Sequence, residues 1–137
     1  MPTTTAMTNY CESLVLNSVL NGVPIAGTDR VTHIGVLSAA GSDASQTQMS
    51  GSGRVAIAFT TSTVTTSPDG SGDAVTNTGV ITFTNSGWAS TSVYGVGFYN
   101  AISGGKCMLY GNFDSVVTVG AGQSLQFNIG GITISMD

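Results

Sequence analysis

The sequence predicts a mainly β protein, an antiparallel sandwich or jelly-roll-like domain with one short helix near its N-terminus. Short segments of alternating apolar and polar residues recur about every ten residues, which is typical of antiparallel strands. Turn-forming clusters of Gly, Pro, Asp and Ser separate these segments. A single stretch, from Asn9 to Asn21, has the three- and four-residue apolar spacing of a helix. One helix followed by many short strands indicates an all-β architecture.

The first seven residues are predicted to form a flexible arm, residues 1–7, in front of a single β-domain that spans residues 8–137. This arm is rich in threonine and has neither helical nor strand periodicity, as is common for mobile termini. An extended segment of this kind can add main-chain hydrogen bonds to the sheet edge of a neighbouring protein. The candidate interface residues therefore belong to the arm: Pro2, Thr3, Thr4 and Thr5.

The predicted helix has recognisable start and stop signals. Thr8 is placed to cap its N-terminus, and Glu12 lies in the first turns, where the helix dipole favours an anion. Gly22 is placed to end it. A helix this short is marginal in water on its own, so we expect it to pack on a sheet.

Six segments after the helix carry strand patterns: 31–37, 54–61, 80–84, 93–99, 106–113 and 116–119. Gly95 and Gly97 within one of them indicate a bulge or a close backbone contact. Residues 39–53, rich in Gly, Ser and Gln, are expected to be the least structured stretch. Pro68-Asp69-Gly70 is expected to form a turn.

The C-terminal segment, Ser124 to Asp137, alternates cleanly on both sides of Gly130-Gly131. A two-residue glycine turn would make it a hairpin, because glycine tolerates the positive φ angles of such turns. The hairpin would pair Ile129 with Ile132, Phe127 with Ile134 and Leu125 with Met136 on one buried face. A single strand bent at the glycines is the alternative. Both interpretations place the apolar side chains of the last residues in the core.

Composition excludes nucleic-acid binding and favours contact with other proteins. The 137 residues carry a net charge of −4, and the three basic residues, Arg30, Arg54 and Lys106, lie far apart. Nucleic-acid binding requires several cations on one surface. Only 7% of the residues are charged, so a protein neighbour can cover the surface without dehydrating many ions. We therefore expect a homo-oligomer, with a trimer favoured.

No apolar run approaches the length of a membrane span, and the first ten residues lack the pattern of a secretory signal. Cys11 and Cys107 are far apart, and we expect free thiols rather than a disulfide. Synthesis in a reducing cytoplasm fits this expectation best.

The chain shows no pattern of catalytic or metal-binding residues. His33 is the single histidine, and it has no paired spacing with either cysteine, so neither a catalytic triad nor a zinc site is expected. Asp69 to Asp73 could suggest a calcium loop, but two carboxylates are too few and a plain turn is favoured. We predict no enzymatic activity, no metal and no cofactor. Trp88 and Tyr94 could stack on sugars, although aromatic residues in strands usually belong to the core.

Several segments carry a resemblance to a known family: 8–17, 31–37, 51–55, 77–83, Trp88, 93–99, 108–111, 119–123 and 132–137. They resemble small structural proteins of tailed bacteriophages, which are described variously as tail fibre, minor tail or head decoration (cement) proteins. The resemblance covers nearly the whole chain. It departs in the long loop after Leu37 and at His33, where relatives have an apolar or aromatic residue.

The resemblance implies a virion structural protein made in the bacterial cytoplasm, with no catalytic residue to transfer. A compact domain of this length cannot form a long fibre by itself. We therefore favour a capsid decoration (cement) protein that binds the major capsid protein and stabilises the head lattice. A tail or fibre-attachment component is the alternative, and a carbohydrate-binding module is a second alternative.

Overall fold

A computed structural model describes residues 3–60 and 74–135 of the chain. The elements of these residues, in chain order, are β1 Thr3–Met7, α1 Asn9–Asn21, β2 His33–Leu37, β3 Val55–Ala56, β4 Ala74–Thr76, β5 Ile81–Thr84, β6 Ser92–Tyr99, β7 Cys107–Thr118, β8 Ser124–Phe127 and β9 Thr133–Ser135. The prediction of a mainly β, antiparallel fold with one N-terminal helix is confirmed. The predicted turn at 68–70 and the acidic pair at 69–73 lie outside the described residues.

The strands form one large sheet and two small ladders. The large sheet has the order β1-β7-β6-β2-β3, and the ladders pair β4 with β9 and β5 with β8. The register of β6 against β7 shifts between Val93 and Gly95. A Cβ atom at Gly95 would overlap the carbonyl oxygen of Gly111. The close backbone contact predicted for this strand is therefore present, and it requires glycine.

A single hydrophobic core joins the large sheet to the β5–β8 ladder. Ile81, Phe83, Leu125 and Phe127 alternate with exposed residues along the ladder, and all four are buried. Their cluster also contains side chains from β2, β6 and β7, and the ring centroids of Phe113 and Phe127 lie 6.4 Å apart. The ladder therefore packs its apolar face against the large sheet.

Two buried asparagines close the two ends of the β5–β8 ladder. Beyond its Ile81–Phe127 end, Asn77 binds the turn that follows β8. Beyond the other end, the Asn85 side-chain Nδ2 donates to the Val119 carbonyl (2.8 Å), and its Oδ1 accepts from the Trp88 N–H (3.0 Å). These contacts connect distant segments, so the ladder is held by side chains as well as by strand pairing.

The N-terminal segment differs from the predicted arm. Thr3–Met7 is the edge strand β1 and pairs antiparallel with β7, from Thr3 opposite Phe113 to Met7 opposite Leu109. Threonine suits extended backbone, and this pairing satisfies main-chain groups that β7 would otherwise expose. Pro2 lies outside the described residues. A docking role for Pro2, Thr3, Thr4 and Thr5 stays a prediction.

The predicted C-terminal hairpin is wrong. β8 pairs with β5 and β9 pairs with β4, so the segment crosses from one ladder to another and is also not a single bent strand. The turn starts earlier than predicted, since the Gly131 N–H donates to the Asn128 carbonyl (2.8 Å) and Gly130 has a φ of 73°. Ile129 therefore lies in the turn and is 66% exposed, whereas Ile132 is buried. Met136 lies outside the described residues.

The loop over 39–53, predicted to be the least structured stretch, is held by specific contacts. The Asn112 side chain accepts from the Gly41 N–H (2.8 Å) and donates to the Gly41 carbonyl (2.9 Å). The Met49 N–H donates to the Val36 carbonyl (2.8 Å), and the Met49 side chain is part of the core. Glycine and serine supply the loop's tight turns while Met49 anchors it.

None of the helical segments that the structure describes combines the length and apolar character needed to cross a membrane.

Candidate assembly surface on the N-terminal helix

The helix α1 begins and ends at the residues that the sequence indicates. The Thr8 hydroxyl accepts from the Cys11 N–H (3.3 Å) and donates to the Cys107 carbonyl (2.7 Å). Thr8 is buried, so the cap also joins the helix to β7. Gly22 ends the helix in the left-handed conformation, with a φ of 68°. The predicted bounds and caps of the helix are confirmed.

Polar contacts fix the first turn of α1 to the domain. The Asn9 N–H donates to the Asp43 carbonyl (3.0 Å), and the Tyr10 hydroxyl donates to a carboxylate oxygen of Asp29 (2.9 Å). The hydrogen bond to Asp29 raises the pKa of Tyr10. The Lys106 ammonium lies 5.6 Å from the centre of the Tyr10 ring, within cation–π range. The start of the helix therefore has a defined position.

The last two turns of α1 expose apolar side chains. Leu16 is 57% exposed, Val19 75% and Leu20 72%, and no residue of the helix is buried. Val23 and Ile25, directly after the helix, are also exposed. We call these five residues the α1 patch: Leu16, Val19, Leu20, Val23 and Ile25. They make up half of the ten large hydrophobic residues exposed in the described ranges.

The patch lies on the side of the helix that faces away from the sheet. Leu16, Val19 and Leu20 are three and four positions apart and so share one face. The half-buried helix residues, Leu14 and Val15 among them, lie on the opposite side, and the helix contacts β7 and β1. The expectation that α1 packs on a sheet therefore holds for one side of the helix only.

The five patch residues carry no charge, and Glu12 lies at one edge of the patch, beside Leu16. Between Glu12 and Asp29 the chain has no acidic or basic residue. From the exposed fractions, the five side chains present roughly 500 Å² of surface, as large as the biggest apolar patch of a typical monomer, which is often functional. A cavity of about 290 Å³, lined by Met7, Glu12, Val15 and Leu16, adjoins it. The patch can accept a protein surface of matching shape.

The other sequence-predicted candidates do not form a site in the described residues. His33 lies half-buried in β2, with its Nδ1 2.9 Å from the Thr32 hydroxyl. Cys11 and Cys107 are free thiols. No group of three or more His, Cys, Asp or Glu side chains converges within residues 3–60 and 74–135. Of the two aromatic residues that the carbohydrate-binding alternative used, Trp88 belongs to the core and Tyr94 lies half-buried in β6.

The comparisons with known proteins identify a family. The family model described as "Podophage GP4 fiber I protein gp80" matches residues 6–135. A search of the curated proteins gives no match.

The family match confirms the resemblance to structural proteins of tailed bacteriophages, the virion location and the prediction that the protein is not an enzyme. It favours a tail or fibre component over the capsid decoration protein that compact size alone suggests. The chain belongs to the family of the podophage GP4 fiber I protein gp80.

Proposed function

We propose that this protein is a structural subunit of the phage tail-fibre apparatus and that the α1 patch docks it onto a neighbouring protein of that assembly. The observation that carries the proposal is the uncovered apolar face of α1. A fibre protein functions by contact with other fibre or tail proteins, so an exposed apolar surface is the first candidate for that contact.

The exposed face of α1 is unfavourable in an isolated subunit. A helix of this length is marginal in water and depends on packing for stability, yet Val19 and Leu20 contact water over most of their surface. A partner that covers the patch would both remove this apolar surface from water and stabilise the last two turns.

The size of the patch limits how strongly it can bind. Burial of roughly 500 Å² at about 25 cal/mol per Å² contributes about 12 kcal/mol before the costs of association. Those costs are about 4–15 kcal/mol. The patch alone therefore supports a weak to moderate contact, and repeated contacts within a particle would strengthen it.

The fixed first turn makes α1 suitable as a docking element. Thr8 and Asn9 are bound to β7 and to the 39–53 loop, so the exposed turns project from a defined base. A pre-positioned helix loses less conformational entropy on binding than a mobile segment does.

The experiment replaces the wild-type chain in particles with a double variant, Val19→Gln and Leu20→Gln. Both side chains are mostly exposed, so the variant should fold with an unchanged melting temperature. We expect it to be lost from purified particles. Ile102→Gln is the matched control, because Ile102 is 68% exposed but lies outside the patch, and it should be incorporated normally.

Fractionation of the particles separates the fibre proposal from the capsid alternative. We expect the wild-type chain to co-purify with tails and fibres. Recovery with tail-free heads would support the decoration role instead. Wild-type occupancy of the double variant would show that the α1 patch is not the docking surface.

A further inference from the structure

We infer that the occupant of the α1 patch is the α1 patch of a second copy of this chain. This inference rests on the proposed function of the patch as an assembly surface and names its partner. Three features of the patch carry it: its charge, its spacing along the helix and its area.

The absence of charge makes the patch suitable for contact with itself. A contact between identical surfaces places like charges near each other wherever the surface is charged, and this chain is acidic, with seven acidic and three basic residues. The stretch from Ser13 to Thr28 is free of both. No charged residue belongs to the patch itself, so the seam places no like charges in direct contact, and Glu12 stays at its edge.

The spacing of the patch residues matches a helix–helix seam. Leu16, Val19 and Leu20 follow the three- and four-residue interval of residues that interdigitate between packed helices. An identical helix offers the same ridge, so the seam is complementary to itself in a symmetric arrangement. Asn17 and Asn21, whose side chains hydrogen-bond to each other (3.2 Å), are exposed on α1 as well and supply a polar rim.

The area fits a small specific interface. Complete burial of two patches of roughly 500 Å² would remove at most about 1,000 Å² from water, the lower bound for specific protein–protein contacts. Such an interface gives an association that depends on concentration. The contact covers the α1 residues that the subunit leaves most exposed, Leu16, Val19 and Leu20.

The test uses the purified full-length chain and measures its mass by light scattering and native mass spectrometry at roughly 10–100 µM, a range that reports micromolar affinities. We expect a dimer for the wild type, because a contact between two identical patches closes with two copies. Val19→Lys should be monomeric, because it places like charges across the seam. Ile102→Lys adds the same charge outside the patch and should keep the wild-type mass.

A charge-pairing experiment tests whether the contact is between two patches. Val19→Lys and Val19→Glu should each be monomeric, and their mixture should restore an oligomer that contains both chains. Melting temperatures equal to the wild type show that each variant is folded, which is expected because Val19 is 75% exposed.

The outcomes separate this inference from the proposed function. A wild type that is monomeric throughout the range overturns the inference. Loss of the Gln double variant from particles would in that case still support docking, but onto a different fibre or tail protein. A Val19→Lys oligomer equal to the wild type also overturns it, because self-association would then use another surface.

Discussion

Replacement of Asn77 by alanine should destabilise the junction between the two small ladders. The Asn77 side-chain Nδ2 donates to the carbonyls of Gly79 (2.7 Å) and Asn128 (3.0 Å), and its Oδ1 accepts from the Ile132 N–H (2.9 Å). The residue is 1% exposed. All three hydrogen bonds of the amide are therefore made inside the protein, and water cannot replace them.

The size of the effect follows from these contacts. The Asn77 main chain keeps its own bonds in the variant, to the Ile132 carbonyl (3.3 Å) and from the Gly130 N–H (3.0 Å). Three side-chain hydrogen bonds contribute about 0.5–1.5 kcal/mol each, and the buried Ile132 N–H left without a partner adds to the loss. We expect a loss of about 3 kcal/mol, a large share of the roughly 5–15 kcal/mol that stabilises a domain.

Thermal and urea unfolding, followed by circular dichroism, measure this loss. The melting temperature of Asn77→Ala should fall by about 10 °C. Asn128→Ala is the matched control, since Asn128 contributes its carbonyl to the junction while its side chain is exposed. Asn77→Asp keeps the acceptor but loses both donors and buries a carboxylate, so it should be at least as unstable as the alanine variant. An Asn77→Ala protein as stable as Asn128→Ala would refute the reasoning.

Three further predictions test other parts of the structure. Deletion of residues 1–7 should lower the melting temperature, because β1 pairs with β7; an unchanged value in thermal denaturation would restore the mobile-arm interpretation. Ile132→Asp should unfold the protein and Ile129→Asp should leave it soluble and cooperatively melting, since the first is buried and the second exposed; equal behaviour would contradict the observed turn. Burial raises the pKa of Cys107 from 9.0 to about 11 and that of Tyr99 from 10.0 to about 12. Both groups stay neutral to a higher pH in the folded state than in the unfolded state. The free energy of unfolding should therefore keep its full value below pH 9 and fall as the pH rises through 11. Cys107→Ser should weaken this pH dependence of the melting temperature.

The helix and several strands could be predicted because residues within a few positions of each element determine where it begins and ends. The hydroxyl of Thr8 and the left-handed conformation of Gly22 set the ends of α1, and both are read directly from residue type. The predicted strand over 93–99 lies within β6, and its glycines serve the expected close approach. The ends of α1 and the position of β6 therefore depend mainly on residues nearby in the sequence.

The C-terminal error has a different cause. Alternation correctly placed Leu125 and Phe127 on a buried face, but it carries no information about which strand lies alongside. The partner of β8 is β5, about forty residues earlier in the chain, and Asn77 fixes the crossing to β9. Sequence reasoning had no signal for Asn77 because a polar residue after a short strand resembles an ordinary loop residue.

The sequence predicts the exposed apolar face of α1 in part. Apolar residues lie on both sides of α1: Leu14 and Val15 on the side of the sheet, Leu16 and Leu20 on the outer side. A helix that is apolar on both sides is expected to be covered on both sides, and the domain covers only one. Periodicity cannot tell whether the second cover comes from the same chain. The last two turns of α1 carry no charged residue, whereas the outer face of a solvated helix usually does. This pattern supports the proposal that the outer side of α1 is an assembly surface, and the chain belongs to a fibre family in which such contacts are expected.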